Sequence, residues 1–292
     1  LLDRLKCKQK RHQLQVQFQH LYHLSAFLYQ QYCPRWFRER RNIEHVKLSD
    51  IRLLALILLQ AALDISSQRS FWTYIQTFGN LSHGLSRQHF NSRTSELLPV
   101  VNAIRRGITR DYAHYSSIGI IDSFPIPLCV KVRNFRAKIF GGIADIGYNA
   151  TKKMPFYGFK AHMLVSADGV VLNYEVTPAS VSDVTAAPEL LAQCSEPVVL
   201  ADVGYVGKPL QRVAARDGIC FWTPYRSNMK GAKQHNDRKL KAIRRTIESR
   251  FAVLTQQYSV ENNLGRSLAG FQLRLEVAIL VYNLGFFDFI TN

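Results

Sequence analysis

Apolar positions along the chain follow two rhythms, and the change falls near residue 116. Before it they recur at helical spacing. The run "LSDIRLLALILLQAAL" opens on Ser49 or Asp50, either of which suits a helix N-cap, and continues as a strongly apolar helix. Next comes "SFWTYIQTFGNLSHGLSRQHFNSRTSELLPVVNAIRRGI". It reads as an aromatic-rich helix, a break at Gly79–Asn80 and Gly84, and a polar, basic helix bearing Arg87, Gln88, His89, Asn91 and Arg93. A short helix, a glycine-containing turn and a second helix displaying Arg, Gln and Asn is the pattern of a helix-turn-helix DNA reader. A plain helical scaffold carries the same pattern, and the sequence leaves both readings open. His20 and His23, three apart in a polar helix, read as surface residues.

After residue 116 the pattern is that of strands. "SIGIIDSFPIPLCV" is a β-type run with Asp122 inside it. "KMPFYGFKAHMLVSADGVVLNYEVTPAS" reads as two strands joined by a turn at Asp168–Gly169. A helix ("VTAAPELLAQC"), a buried strand ending at Asp202 ("PVVLADVGY"), another helix ("KPLQRVAARDG") and the strand-like "ICFWTPYR" follow. The basic linker "SNMKGAKQHN" then leads into a long helix, and an apolar helix covers roughly 268–285. Strands first, then alternation with helices, predicts a mixed α/β sheet flanked by helices. The expected division is a helical region over 1–115, DNA-binding if its helix-turn-helix reading holds, and a mixed α/β region over 116–292.

Charge narrows the class of partner. The 292 residues carry 38 Lys and Arg against 21 Asp and Glu, a formal net charge of +17. That excess fits a polyanion, nucleic acid above all, and is silent on fold. The five cysteines are scattered without a CxxC pair, so they read as reduced packing residues. The apolar runs "LLALILL" and "AILVYNLGFF" fall short of the roughly 20 residues a bilayer span needs, and buried helices are expected instead. No signal-peptide pattern is visible, and a cytoplasmic, nucleoid-associated protein is expected. The chain opens on Leu1 rather than methionine, so the native start is expected to be missing.

Three carboxylates stand out. Asp122 follows the apolar "IGII", and Asp202 follows "VVLA" at the carboxyl end of a strand, where α/β sheets gather their ligand sites. An apolar strand followed by an unpaired Asp is costly unless the charge meets a partner or a metal. Asp145, Asp168 and Asp183 read as turn or capping residues. Glu248 lies in "RKLKAIRRTIESRFAVL", within a stretch from Arg226 to Arg250 that holds nine Lys or Arg and two acids. At about 100° per residue, Leu240, Ile243, Ile247, Phe251 and Leu254 form the core stripe, and Glu248 falls at its border. The helix alone favours a surface i,i+4 pair of Arg244 with Glu248. Taken together, the three acids suit a pair of Mg²⁺ or Mn²⁺ ions about 3.5–4 Å apart, with Lys and Arg holding the DNA backbone.

Several long phrases carry a resemblance: "IDSFPIPLC", "GIADIGYNATKKMPFYGFKAHMLV", "VTPASVSD", "LADVGY", "WTPYRSNMKGAKQHN" and "IRRTIESRF…RSLAGFQLRLE". Residues 115–280 resemble bacterial DDE transposases, specifically the insertion-sequence nine-eight-two family. The resemblance implies an RNase H-like catalytic core with Asp122, Asp202 and Glu248 as catalytic and metal-binding triad. It implies cleavage at element ends followed by strand transfer, with terminal inverted repeats and target double-stranded DNA as partners and a homodimer on DNA. Related groups show a Tyr–Arg–Glu–Lys signature around the third acid. Here Arg244 takes the Arg place, while Lys241 and Thr255 stand in the Tyr and Lys places. The residues expected to contact DNA are Arg87, Arg93, Lys160, Arg226, Lys230, Lys233, Lys241, Arg244 and Arg245. His162 shares a strand with Lys160, and either could face the cleft or solvent. A nuclease without a joining step and a catalytically inactive transposon-derived DNA-binding protein are the rival readings.

Overall fold

The structure, a computed structural model, describes residues 2–79, 81, 85–112, 116–150 and 152–287, with residues 2–8 and 112 as backbone only. Six helices come first: α1 (Leu2–Tyr32), α2 (Arg35–Arg38), α3 (Asp50–Ala62), α4 (Gln68–Phe78), α5 (Arg87–Glu96) and α6 (Leu98–Tyr112). Then follow β1 (Ile118–Val130), β2 (Asp145–Asn149), β3 (Met154–Ser166), β4 (Val171–Pro178), α7 (Asp183–Leu191), β5 (Val198–Ala201), α8 (Lys208–Arg216) and β6 (Cys220–Trp222). The chain closes with α9 (Ala232–His235), α10 (Arg238–Gln257) and α11 (Leu268–Phe286). Two compact units form, one of Leu1–Ile108 with Gln257–Asn292 and one of Thr109–Gln256.

In the first unit, Ser49 caps α3 by accepting a hydrogen bond from the Arg52 amide at 3.3 Å. Residues 53–59 of that helix are all buried, as befits a helix apolar on every side. Among the described residues no helix is long and apolar enough to cross a membrane. Helices α4 and α5 pack through Phe90, whose ring lies 4.9 Å from that of Trp72. Asn80 and Gly84, where the sequence suggests a break between these helices, lie outside the described residues.

The final apolar helix departs from the expected division of the chain. α11 groups with the N-terminal helices, whereas the division expected at 116 places it with residues 116–292. Its buried Glu276 accepts from Arg105 at 2.7 Å and from Asn102 at 2.9 Å, both on α6. Such a contact links residues more than 170 positions apart, a range at which local periodicity carries no signal.

The second unit is built on a six-stranded mixed sheet of order β2-β3-β1-β5-β6, with β4 also paired to β3. β1 runs antiparallel to β3 and parallel to β5, which runs parallel to β6. The β3–β4 hairpin turns at Gly169, whose φ of +109° suits a residue without a Cβ. One face of the sheet buries Ile121, Val199 and Ala201 in a single cluster with Leu190 of α7 and Leu210 of α8. Against the other face lies α10, its Phe251 ring 5.0 Å from Phe124 of β1. Ile247 and Leu254 are fully buried, so the apolar stripe expected of this helix faces the sheet.

Candidate active site

Strand alternation decides where Asp122 points. Ile120, Phe124 and Ile126 are buried on the α10 side of β1, and Asp122 shares their parity. It lies in the middle of β1, not at the end. β5 pairs with β1 through Ala201 opposite Ile121, so the next residue, Asp202, leaves the sheet beside Asp122. Glu248 comes from α10, one helical turn after Arg244.

All three carboxylates meet the Arg244 guanidinium. Its Nη2 lies 2.8 Å from Asp122 Oδ2 and 3.7 Å from Asp202 Oδ2, and its Nη1 lies 2.9 Å from Glu248 Oε1. The i,i+4 pair exists, therefore, and is one arm of a larger cluster. The Arg244 Nε is buried without a hydrogen-bond partner. One cation serving three acids leaves the cluster short of positive charge. Burial pushes the Asp122 carboxyl up to about 6, against the opposing pull of Arg244 and the Ser123 amide, which donates to Oδ1 at 2.8 Å.

A second polar group lies on the α7 face of the sheet, opposite the first, and centres on a residue the sequence reading assigned to a helix start. Asp183 is the first residue of α7, yet its carboxylate accepts from Ser123 Oγ at 3.0 Å and from Lys160 Nζ at 2.9 Å. Lys160 also donates to the Val181 carbonyl at 2.8 Å. His162 is fully buried, with Nε2 2.9 Å from Thr177 Oγ1 and Nδ1 3.7 Å from Asp183. Burial lowers the His162 pKa to about 4, so its ring is neutral at physiological pH. Both side chains thus face Asp183 and the protein interior. Only Ser182, an evident N-cap, marks this spot in the sequence; the partners of Asp183 lie on other strands.

The remaining cationic candidates divide into two groups. Arg226, Lys230, Lys233 and Arg245 are exposed and form no ion pair among the described residues, and Lys241 is half-buried. The segment bearing the first three is closed by His235, whose ring stacks 3.7 Å from Tyr225 and whose Nε2 lies 2.8 Å from the Thr223 carbonyl. Asn236 adds hydrogen bonds of 2.8 and 3.0 Å to the Tyr225 backbone. In the first unit Arg87 is exposed on α5, whereas Arg93 turns inward to Asp50 at 2.9 Å.

The sheet thus draws one acid within β1, one just past the end of β5 and one on the facing helix α10 onto a single guanidinium. The model of the transposase DDE domain family matches residues 112–268, more than half of the chain, and the chain belongs to that family. A search of curated proteins found no match. Membership places the chain among nuclease and transposase enzymes that bind DNA and generally use divalent metals.

The donor set agrees with that chemistry. Three carboxylates offer the hard oxygen ligands that Mg²⁺ and Mn²⁺ take, and they already share one cation. Among the described residues no three His, Cys, Asp or Glu side chains are drawn close enough to hold a metal by themselves. In this arrangement the cation between the acids is Arg244.

Proposed function

We propose that the chain is a transposase of the insertion-sequence nine-eight-two type that cleaves DNA at its element's ends and joins the freed 3′-hydroxyl to target DNA. The observation that carries this reading is the convergence of Asp122, Asp202 and Glu248 on a single guanidinium. The sheet supports an RNase H-like core: antiparallel strands on one side of β1, parallel strands on the other, and the third acid on a helix across one face.

Two divalent ions, Mg²⁺ or Mn²⁺, held by the three carboxylates would activate the attacking hydroxyl and stabilise the leaving oxygen. Asp122 is the fixed member of the set, half-buried on a central strand and oriented by the Ser123 amide. Glu248 is the most exposed and comes from a separate element. Arg244 balances the acids, and the exposed Arg226, Lys230, Lys233 and Arg245, together with Lys241, hold phosphates. In the helical unit, reading of the terminal inverted repeats falls to Arg87, with Gln88 and Asn91 beside it, because Arg93 is tied to Asp50. Pairing of two ends calls for a homodimer on DNA.

The test is cleavage of labelled element ends, with strand transfer from a pre-cleaved end as the second readout. Cleavage without transfer would make the protein a nuclease. Full Mg²⁺-dependent activity in Asp122→Asn or Glu248→Gln would remove the triad.

A further inference from the structure

The far end of the sheet carries an exposed group of apolar and basic side chains that the active site does not use. Val132 is 79% exposed, Phe135 74% and Tyr148 64%. Val132 and Phe135 sit on a 3₁₀ turn, Lys131–Arg136, that follows β1 directly. Tyr148 lies near the end of β2, opposite Pro155. Pairing of Val130 with Phe156 and of Asn149 with Met154 brings the turn and the β2–β3 connection to the same end of the sheet.

A single exposed apolar residue is ordinary. Here the segment after the turn shows that burial was open to it: Phe140 is buried, and its carbonyl accepts from the Tyr157 hydroxyl at 3.1 Å. Phe140 anchors the connection, while Phe135 and Val132, a few residues earlier, stay in solvent. The same two connecting segments carry six exposed cations, Lys131, Arg133, Arg136, Lys138, Lys152 and Lys153, while the one acid nearby in sequence, Asp145, sits at the other end of β2. The Arg136 guanidinium lies 5.1 Å from the centre of the Phe135 ring.

We infer that this tip is a DNA-contacting wedge: the cations hold backbone phosphates while Phe135, with Val132 beside it, presses between base steps and distorts the duplex. Charge selects this occupant over a second copy of the chain, because a two-fold contact would set the same six cations against their equivalents. The inference rests on the reading of this unit as the one that handles DNA. Asp122 and Val130 are eight residues apart on one strand, roughly 26 Å or about eight base pairs of duplex. A duplex running along β1 would place the distorted step about eight nucleotides from the bond acted on at Asp122.

The experiment uses the full chain in metal-free buffer, with short duplexes from the element's ends carrying 2-aminopurine at successive positions. Wild type should raise the fluorescence at one position, and Phe135→Ala should abolish that rise and weaken binding roughly tenfold. Arg133→Ala should weaken binding, lower the salt slope by about one and keep the rise. Both side chains are exposed, so a folding defect is not expected, and circular dichroism checks it. Unchanged binding and fluorescence in Phe135→Ala would overturn the wedge. So would a shift from dimer to monomer in sedimentation with DNA distortion intact, which would make the tip a protein interface. Asp122→Asn should keep the fluorescence rise while losing cleavage, so failure of the triad and failure of the wedge give different results.

Discussion

Two arginine–carboxylate clusters, one in each unit, are built from the same parts in different proportion. In the helical unit a single acid, Asp50, takes both Arg40 nitrogens at 2.7 and 2.8 Å, Arg93 at 2.9 Å and the Tyr29 hydroxyl at 2.9 Å. Burial alone would raise the Asp50 pKa, but these donors together outweigh it and the net shift is downward. In the sheet unit three acids share one arginine, and the Asp122 pKa moves upward. Two cations on one buried acid, with the exposed Glu96 carboxylate 3.6 Å from Arg93 at the edge, make a balanced, closed structural joint. One cation among three acids makes a site with capacity for more positive charge. The count of charges, more than their proximity, separates scaffold from chemistry.

The largest effect should come from the acid-rich cluster and appear as lost activity without lost stability. Asp122→Asn is expected to lower cleavage of labelled ends by on the order of a thousandfold or more, with no loss of folding stability in urea. The Asp50 cluster should behave in the opposite way. Asp50→Ala leaves two arginines and a tyrosine hydroxyl without their acceptor, and denaturant unfolding should register a loss of about 3–5 kcal/mol. Equal destabilisation by the two substitutions would erase the distinction.

The pH dependence of stability sharpens the same contrast. Asp50 has a lowered folded pKa, so its contribution is present above the ordinary value of 3.8 and is lost as pH falls through the folded value. Asp122 has a raised one, so its contribution is present below 3.8 and is lost as pH rises through about 6. Wild type should therefore lose stability relative to Asp122→Asn between about pH 4 and 6. Unfolding curves measured across that range test the sign. The smallest effect belongs to the exposed cations: Lys230→Ala should reduce the salt slope of DNA binding by about one and change affinity only modestly.

Of this contrast, only the acid-rich half was open to reading in the sequence, where Asp50 passed for a helix cap and Arg93 for a DNA contact. Apolar runs before Asp122 and Asp202 marked both strands, helical periodicity put Glu248 at the edge of its stripe, and Asp168–Gly169 announced the hairpin. Each of these signals is local. The arrangement that matters is not: Arg244 reaches an acid 122 residues away, and Asp183 binds Ser123 and Lys160 across 60 and 23 residues. Spacing within one element cannot report which elements will face each other. That is also why the helix alone favoured a surface pair, and why Arg93, one helical face from Arg87, gave no sign of turning toward Asp50.

The central claim is that the Asp122 cluster is short of positive charge and takes up a divalent cation. Isothermal titration calorimetry with Mn²⁺ on the DNA-free protein tests it most directly. Wild type should bind saturably, and Asp122→Asn should lose that binding while remaining folded. Equal Mn²⁺ binding by the two proteins, or none by the folded wild type, would contradict the account.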